Sequence, residues 1–370
     1  MEITGDAQYP VGLEELLRLT VEVKGSDLHL VAGARPSIRL NGEIIPQDYP
    51  VLSPLYLETL LYGILNEEQR NRLKNSLELD FSYSVPSVAR FRGSIMVQRG
   101  SLAAAFRAVP YVIPEFDRLG LPQEIRKLCN LSRGLVLVTG PTGSGKSTTL
   151  ASIIDILNNE RRLNIVTIED PIEFLHRHKL STVRQREIGT DTHSFENALR
   201  HVLRHDPDVI LIGEMRDLES ISIALTAAET GHLVFSTLHT QTAPLTITRI
   251  VDVFQSERRE QVRQQLANSF RAVISQQLIP LADGKGRVVA VEYMVDTPAI
   301  RSLVREGKEH QLYSAIQTGQ ALGMQTMDSA LIRLYNSGRI TKEAALDYCI
   351  DRAEMERLLR SSGPAYKSGW

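Results

Sequence analysis

The 370-residue chain is close to neutral, with 42 lysines and arginines against 44 aspartates and glutamates, and 42% of its residues are hydrophobic. This length predicts two globular domains, and a net charge of −2 argues against nucleic acid as a partner, since nucleic-acid-binding proteins need a basic surface. No apolar run approaches the roughly 18 residues of a membrane span, and the two distant cysteines, Cys129 and Cys349, are expected to be ordinary thiols of a cytoplasmic protein.

The first hundred residues predict a small α+β domain on an antiparallel sheet. Strand-like runs at Ser37–Leu40 and 43–45 flank Asn41 and Gly42, a pair that favours the type I′ turn of a β-hairpin. Further elements are predicted in chain order: a helix at 54–65 and strands at 79–83, 88–97 and 102–109. We therefore place the first domain at residues 1–109.

Arginines concentrate on the later strands of this domain. Period-two alternation predicts Arg90 and Arg92 on one face of their strand and Phe91 on the other, with Arg99 and Arg107 following after a turn. Solvated arginines on an outer sheet face are the plain alternative. Guanidinium groups, however, also stabilise the charge that develops on a transferring phosphoryl group.

The next segment predicts a linker and then a different architecture. Three prolines and a glycine fall within residues 109–122, so we place the linker at 110–122. Buried-strand patterns then alternate with helical patterns, which predicts an α/β domain with a parallel sheet at 123–296. The predicted strands are 135–139, 164–168, 209–213 and 233–237, and the predicted helices are 147–158, 195–204 and 218–230. The region 297–370 is predicted to be helical with a disordered tail.

A phosphate-binding motif follows the first of these strands. Residues 140–147 match G-x-x-x-x-G-K-[ST] between a strand and a helix, where backbone N–H groups and the helix N-terminus converge on phosphates. Lys146 is expected to reach the β- and γ-phosphates, and Ser147 is expected to offer its hydroxyl to Mg²⁺. The predicted binding residues are Gly140, Pro141, Thr142, Gly143, Ser144, Gly145, Lys146, Ser147 and Thr148. A glycine-rich turn with a solvated lysine is the alternative.

An acid ends the strand at 209–213. A carboxylate at the carboxyl end of a parallel strand faces the ligand crevice, so Glu214 is the best candidate for polarising the attacking water. The residue before it is Gly213, so metal coordination is expected to depend on Ser147, the phosphates and water. The alternative for Glu214 is a surface acid that caps the strand.

Two further clusters follow buried strands. Glu169 and Glu173 stand in the segment 167–173 and could share a metal or a water, although a solvated acidic loop is a serious alternative. His232 and His239 frame the strand at 233–237. A histidine there could contact the γ-phosphate or simply cap the sheet.

The four segments TGPTGSGKSTT, TIEDPIEF, DPDVILIGEMRD and TGHLVFSTLHT resemble, in this order, the Walker A, Asp box, Walker B and His box of the bacterial secretion ATPase superfamily. Within that superfamily, GSDLHL at 25–30, ARFRG at 89–93, AIRSLVRE at 299–306 and LGMQTMD resemble the motors that retract type IV pili. The resemblance spans about residues 13 to 350.

The resemblance implies a PAS-like N-terminal domain, a RecA-like P-loop ATPase domain and a homohexameric ring that binds Mg²⁺ and ATP between the two domains. It also implies hydrolysis coupled to domain rotation about the linker, which powers pilus retraction and twitching motility. The implied partners are an inner-membrane platform protein, the pilus machinery and a paralogous retraction ATPase. The implied location is peripheral to the inner membrane at the pilus base.

The resemblance also implies roles for the residues that occupy the family's motif positions. Those implied for catalysis are Glu214, Arg92, Arg107, Glu169, Glu173, His239 and His232. Three alternatives remain beside a principal retraction motor. One is an accessory retraction ATPase. Another is a pilus-assembly or type II secretion ATPase, which would usually carry a four-cysteine metal site that two cysteines cannot supply. The last is a non-enzymatic nucleotide-sensing ring protein.

Overall fold

The computed structural model describes residues 11–40, 42–109 and 112–361. The chain divides into two compact units, Met1–Val112 and Ile113–Trp370. Three parts of the sequence predictions lie outside the described residues. They are the turn residue Asn41, the first two positions of the linker and the disordered tail after Ser361. No helix among those residues is long and apolar enough to cross a membrane.

The first unit is an antiparallel sheet with three helices, counted over its described residues. The helices are α1 (Leu13–Glu22), α2 (Pro54–Ile64) and α3 (Glu67–Ser76). The strands are β1 (Asp27–Val31), β2 (Ser37–Leu40), β3 (Glu43–Pro46), β4 (Glu78–Val85), β5 (Ala89–Gln98) and β6 (Ser101–Val109). Their order in the sheet is β3-β2-β1-β6-β5-β4, and every neighbouring pair is antiparallel.

Alternation along β5 explains how this sheet packs. Phe91 and Ile95 are fully buried, whereas Arg90 and Arg92 lie half-buried on the opposite face, as the period-two pattern predicts. The sequence pattern did not predict α1, α3 or β1. In α3 only Leu73 is buried, so that helix has no apolar stripe to detect; an Asn66–Gln69 capping box marks its start instead.

The second unit has a mainly parallel sheet. Its strands are β7 (Gly134–Thr139), β8 (Asn164–Glu169), β9 (Thr182–Glu187), β10 (Val209–Ile212), β11 (Leu233–Leu238), β12 (Phe270–Pro280) and β13 (Arg287–Val295). They are ordered β13-β12-β7-β11-β10-β8-β9, and only the β12–β13 pair is antiparallel. Every residue of β7, β10 and β11 is buried, because helices cover both faces of the sheet. The predicted α/β class is confirmed.

The helices of this unit include those that the sequence predicted and several that it did not. They are α4 (Gln123–Arg126), α5 (Lys146–Glu160), α6 (Phe195–Val202), α7 (Leu218–Glu229), α8 (Ala243–Asp252), α9 (Ser256–Ser269), α10 (Pro298–Arg305), α11 (Leu312–Thr318), α12 (Met327–Asn336), α13 (Lys342–Tyr348) and α14 (Arg352–Ser361). The region after β13 is helical, as predicted. Strands β9, β12 and β13 were not predicted.

The AIRSLVRE segment forms α10. Its Ile300 and Val304, four residues apart, are fully buried in the core, and Arg301 reaches to 3.9 Å from Asp296. This helix therefore packs through one apolar face, as a surface helix of an α/β domain does. A packing role accounts for its apolar residues, and its resemblance to the retraction signature stays a prediction.

Candidate nucleotide-binding site

The carboxyl ends of four neighbouring parallel strands meet around one cavity. This cavity has a volume of about 430 Å³ and lies beyond the ends of β7, β8, β10 and β11. It is lined by Lys146, Ser147 and Thr148 after β7, by Glu169 and Glu173 after β8, by Glu214 after β10 and by His239 after β11. Ligands of parallel α/β sheets bind in this position. The sheet topology therefore brings four of the sequence clusters into one site.

The loop between β7 and α5 has a backbone that only glycine adopts freely. Gly140 and Gly145 have φ angles of 138° and 90°, and helix α5 begins at Lys146 directly after them. A Cβ atom on Gly140 would lie 2.2 Å from the carbonyl oxygen of Gln276. Gly140 is thus required both for its conformation and for its closeness to β12.

Gln276 on β12 holds this loop in place. Its Nε2 donates to the carbonyl oxygen of Ser144 over 2.7 Å, and its Oε1 accepts from the Thr149 hydroxyl over 3.0 Å. Gln276 is 1% exposed, so both hydrogen bonds are shielded from water. One amide therefore fixes the loop relative to the first turn of α5. The sequence reasoning missed this residue because no short motif contains it.

Lys146 is folded back onto the loop. Its Nζ donates to the carbonyl oxygens of Gly140 and Pro141 over 2.8 and 3.0 Å. Burial lowers the pKa of Lys146, while the negative charges of Glu214 and Glu173 act in the opposite direction. The ammonium group is therefore close to two carboxylates, and it can redirect its hydrogen bonds to a phosphate group.

Glu214 lies between an arginine and a histidine. Its Oε2 accepts a hydrogen bond from Arg216 over 2.7 Å, and its Oε1 lies 2.9 Å from Nε2 of His239. Partial burial acts to raise the pKa of Glu214, but Arg216 and His239 together lower it below the ordinary value. Glu214 is consequently ionised at neutral pH, with both oxygens directed by partners.

The backbone that carries Glu214 is tied to β11. The Thr237 hydroxyl donates to the carbonyl oxygen of Gly213 over 2.6 Å, and the Ser236 hydroxyl donates to that of Ile212 over 2.8 Å. These bonds join side chains of β11 to the end of β10. They fix the direction in which the chain leaves the sheet at Glu214.

Glu169 lies at the end of β8 beside two polar side chains. Its Oε1 accepts hydrogen bonds from the Thr167 hydroxyl over 2.5 Å and from Nε2 of Gln185 over 3.1 Å. Desolvation raises the pKa of Glu169, although these hydrogen bonds act to lower it. Glu173 is exposed and faces the same cavity. The two acids therefore differ in environment: Glu169 is enclosed by protein, whereas Glu173 is exposed to solvent.

The two histidines of the fourth cluster lie at opposite ends of β11. His239 follows the strand and lines the cavity, whereas His232 precedes the strand and its Nδ1 lies 3.0 Å from the carbonyl oxygen of Ala227. Because each strand residue rises ~3.3 Å, the strand separates them by roughly 20 Å. Within this unit His232 caps the other edge of the sheet.

The arginines belong to the first unit. Arg92 on β5 and Arg107 on β6 are register partners, and Nε of Arg107 donates to Oδ1 of Asp27 over 2.7 Å. Asp27 is buried, and its pKa is lowered: burial acts to raise it, but Ser26 and Arg107 outweigh burial. Among the described residues Arg92 has no ion-pair partner. Arg107 therefore has a structural contact that Arg92 lacks.

The donor set suits Mg²⁺ held mainly by phosphates. No group of three histidine, cysteine, aspartate or glutamate side chains among the described residues could bind a metal alone. Ser147 nevertheless lines the cavity together with Glu169 and Glu214, and hydroxyl and carboxylate oxygens are ligands that Mg²⁺ accepts. The residues present fit a metal that enters with a nucleotide.

One further cavity residue was not predicted. Burial lowers the pKa of His176 to about 4, and its Nδ1 has no hydrogen-bond partner in the part of the chain that the structure describes. His176 follows the Asp-box resemblance by a few residues but carries no recognisable spacing. It lines the cavity as a neutral ring.

Comparison with known proteins places this site in a family. Residues 112–333 match the family of type II/IV secretion system proteins, and the chain belongs to that family. It is 51% identical over 333 residues to the type IV pilus retraction ATPase PilT of Pseudomonas aeruginosa, covering 90% of this chain and 96% of the relative. It is 42% identical over 350 residues to the type IV pilus ATPase PilU of the same organism, covering 95% and 91%.

A solved structure agrees in fold. The crystal structure of the pilus retraction motor PilT with bound ADP matches with a TM-score of 0.87 at 49% identity, covering 94% of this chain and 99% of that chain. The family resemblance and the fold class predicted from the four motif segments are confirmed.

Proposed function

We propose that this chain is a motor ATPase that powers the retraction of type IV pili. The observation that carries the proposal is one cavity that joins a phosphate-binding loop to the ionised Glu214. The 51% identity to PilT over 90% of the chain supports retraction as the work performed. PilT with ADP bound has the same fold, which supports adenine nucleotides as the substrate class.

In the proposed mechanism, the loop from Gly140 to Thr148 binds the phosphates of ATP, and Lys146 moves its hydrogen bonds from Gly140 and Pro141 to the β- and γ-phosphates. Mg²⁺ held by Ser147 and the phosphates would neutralise charge on the transferring group. Glu214 orients the attacking water through a lone pair that Arg216 and His239 leave free, since each of its oxygens has one of these partners.

The remaining predicted residues receive supporting roles in the proposal. Glu169 and Glu173 place negative charge and water around the metal, and His239 reports the state of the γ-phosphate to β11. Arg92 and Arg107 accelerate turnover by stabilising the charge of the transferring phosphoryl group. His232 has no such support within its own unit, since it lies at the opposite end of β11.

The assembly is also part of the proposal. We place a PAS-like domain at 1–109, a linker at 110–122, a RecA-like core at 123–296 and a helical region at 297–370. The chain would form a homohexameric ring in the cytoplasm, bound peripherally to the inner membrane at the pilus base. There it would act on a platform protein and the pilus machinery, beside a paralogous retraction ATPase, and without nucleic acid.

A genetic experiment tests retraction. The gene is deleted and complemented with the wild-type chain, with Glu214→Gln, or with Glu219→Gln. Glu219 is the matched control, because it forms its ion pair with the exposed Arg200 on the surface and undergoes the same chemical change. We expect deletion and Glu214→Gln to leave excess surface pili that do not retract, and Glu219→Gln to restore twitching.

Other outcomes separate the alternatives. Loss of surface pili on deletion would indicate an assembly motor and contradict the proposal. Retained twitching on deletion, with loss only when a paralogous gene is removed as well, would indicate an accessory retraction ATPase. A fully active Glu214→Gln would contradict the assignment of Glu214 as the residue that orients the attacking water.

A further inference from the structure

A fully buried carboxylate joins the site to the C-terminal helices. Glu292 on β13 is 0% exposed. Its Oε1 accepts from the backbone N–H of Ala243 over 2.6 Å, and its Oε2 accepts from the backbone N–H of Met327 over 3.3 Å. These two residues are the first of α8 and α12, so one side chain caps the N-termini of two helices that are distant in sequence.

The first of these helices is joined directly to the nucleotide cavity. Helix α8 begins four residues after His239, whose Nε2 lies 2.9 Å from Glu214. The connecting segment is held to the helix by Thr240, whose hydroxyl lies 2.7 Å from that of Thr246. A shift of His239 therefore moves a short, braced segment whose far end is held by Glu292.

The second of these helices, α12, begins in the LGMQTMD segment. Gln325 pairs with the Tyr293 backbone on β13 in both directions, and its Nε2 donates to the carbonyl oxygen of Val291 over 2.6 Å. Asp328, one residue into α12, accepts from the N–H groups of Ile350 and Asp351 over 2.8 and 3.0 Å. This segment thus connects β13 to the last helices of the chain.

The antiparallel pair of strands β12 and β13 also contacts the phosphate-binding loop. Glu292 on β13 is the register partner of Ser275 on β12, and the Ser275 hydroxyl lies 2.8 Å from that of Thr139, the residue before Gly140. The neighbouring Gln276 clamps the loop itself. Strands β12 and β13 therefore connect the phosphate-binding loop to both capped helices.

We propose that Glu292 is a positioning residue that couples the nucleotide state, sensed through His239 and α8, to the C-terminal helices that begin with α12. A nonpolar residue could fill the same space, but it would leave the first N–H of each helix without an acceptor. Each oxygen of the carboxylate accepts from one helix N-terminus, so a displacement of α8 is transmitted to α12 through one rigid group. This proposal rests on the ATPase activity proposed above.

The test compares Glu292→Gln with Asp328→Asn in the full-length chain at pH 8. Both variants neutralise a buried carboxylate that accepts two backbone N–H groups, but only Glu292 contacts α8. We expect Glu292→Gln to lower kcat at least tenfold while the Kd for ADP stays within twofold of wild type. Asp328→Asn is expected to retain wild-type kcat even if its melting temperature falls.

Hydrogen–deuterium exchange measures the coupling itself and does not require the variant to fold. In the wild-type chain, a non-hydrolysable ATP analogue should change protection in residues 240–247 and in residues 326–333 together. Protection changes confined to residues 240–247 would overturn the proposal. A kcat of Glu292→Gln that equals that of wild type, or that falls only as far as the kcat of Asp328→Asn, would overturn it as well. Loss of ADP binding or of ATP hydrolysis in the wild-type chain would instead refute the proposed function.

Discussion

Nε2 of His239 lies 2.9 Å from Oε1 of Glu214, and this contact joins the ends of the adjacent strands β11 and β10 inside the nucleotide cavity. Arg216 donates a hydrogen bond to the other carboxylate oxygen of Glu214. The proposed water-polarising group is therefore oriented and kept ionised by two partners. Each oxygen keeps a lone pair for the attacking water, so His239 can orient Glu214 while the water is bound.

Replacing His239 by alanine should lower kcat by up to ~100-fold, the low end of the ~10²- to 10⁴-fold that a positioned general acid or base contributes, because His239 only orients Glu214. His239 lowers the pKa of Glu214, so its loss should also move the acidic limb of the kcat profile to higher pH. Turnover measured between pH 4.5 and 8 checks both effects. His205→Ala, which changes an exposed histidine, is the control. An unshifted limb would show that His239 does not act through Glu214.

Removing the Gln276 amide should weaken nucleotide binding. Gln276→Leu deletes two buried hydrogen bonds to the phosphate-binding loop, each worth about 1 kcal/mol, so the Kd for ADP should rise by up to roughly 30-fold. Titration with a fluorescent nucleotide measures this change. Unchanged affinity at an unchanged melting temperature would mean that the loop holds its shape without β12.

Gly140→Ala tests the same contact from the loop side. Its Cβ would overlap the Gln276 carbonyl oxygen, so nucleotide binding should be lost. Gly284→Ala also places alanine at a positive φ, of +72°, but in open space, and should bind ADP normally. Binding by Gly140→Ala equal to that of the control would contradict the close approach.

The two arginines of the first unit should differ in their effect on stability. Arg92→Ala should slow ATP turnover without changing the melting temperature, since Arg92 has no ion-pair partner among the residues described. Arg107→Ala should also remove one of the partners of the buried Asp27, which keeps Arg39 and Ser26. Because the Arg107 side chain is 66% exposed, the loss should be below about 1 kcal/mol. Wild-type turnover in both variants would show that neither arginine acts in catalysis.

Glu292 should make the protein less stable as pH rises. Burial raises the pKa of Glu292 from 4.5 to about 7, with Asp328 adding to the rise and the N–H groups of Ala243 and Met327 opposing it. Between these values the folded chain keeps a proton that the unfolded chain has lost. The free energy of unfolding should therefore fall as pH rises through this window, by on the order of 3 kcal/mol.

Glu292→Gln removes this dependence. The melting temperature of the variant minus that of wild type should increase by several degrees between pH 5 and pH 8, since only wild type carries the titrating group. Calorimetric scans at matched ionic strength measure the difference. A difference that stays constant or decreases with pH would contradict the raised pKa.

The sequence predicted those parts of the site that depend on short local patterns. The loop 140–147 and Glu214 each follow an apolar run, and His239 follows a strand that begins with one, and parallel strands necessarily bring their carboxyl ends together. Gln276 and Glu292 could not be found in this way, because they act across the β12–β13 hairpin on partners that are distant in sequence. His232 shares a motif with His239, yet the strand between them places it at the opposite edge of the sheet.

The fold was predictable to a similar extent. Strands buried on both faces, such as β7 and β10, have clear apolar runs, whereas β9 at the sheet edge contains a single apolar residue, Val183. Helix α3 was missed because it buries only Leu73. Elements that contribute little to a core leave little periodicity in the sequence.

The most direct test of the proposed mechanism is single-turnover hydrolysis of ATP prebound to Glu214→Gln, with wild type and Glu219→Gln measured in parallel. The mechanism predicts that Glu214→Gln binds ATP with an affinity near that of wild type and leaves it unhydrolysed, with a rate at least 100-fold below wild type. Hydrolysis of the bound ATP by Glu214→Gln within tenfold of the Glu219→Gln rate would contradict the assignment of Glu214.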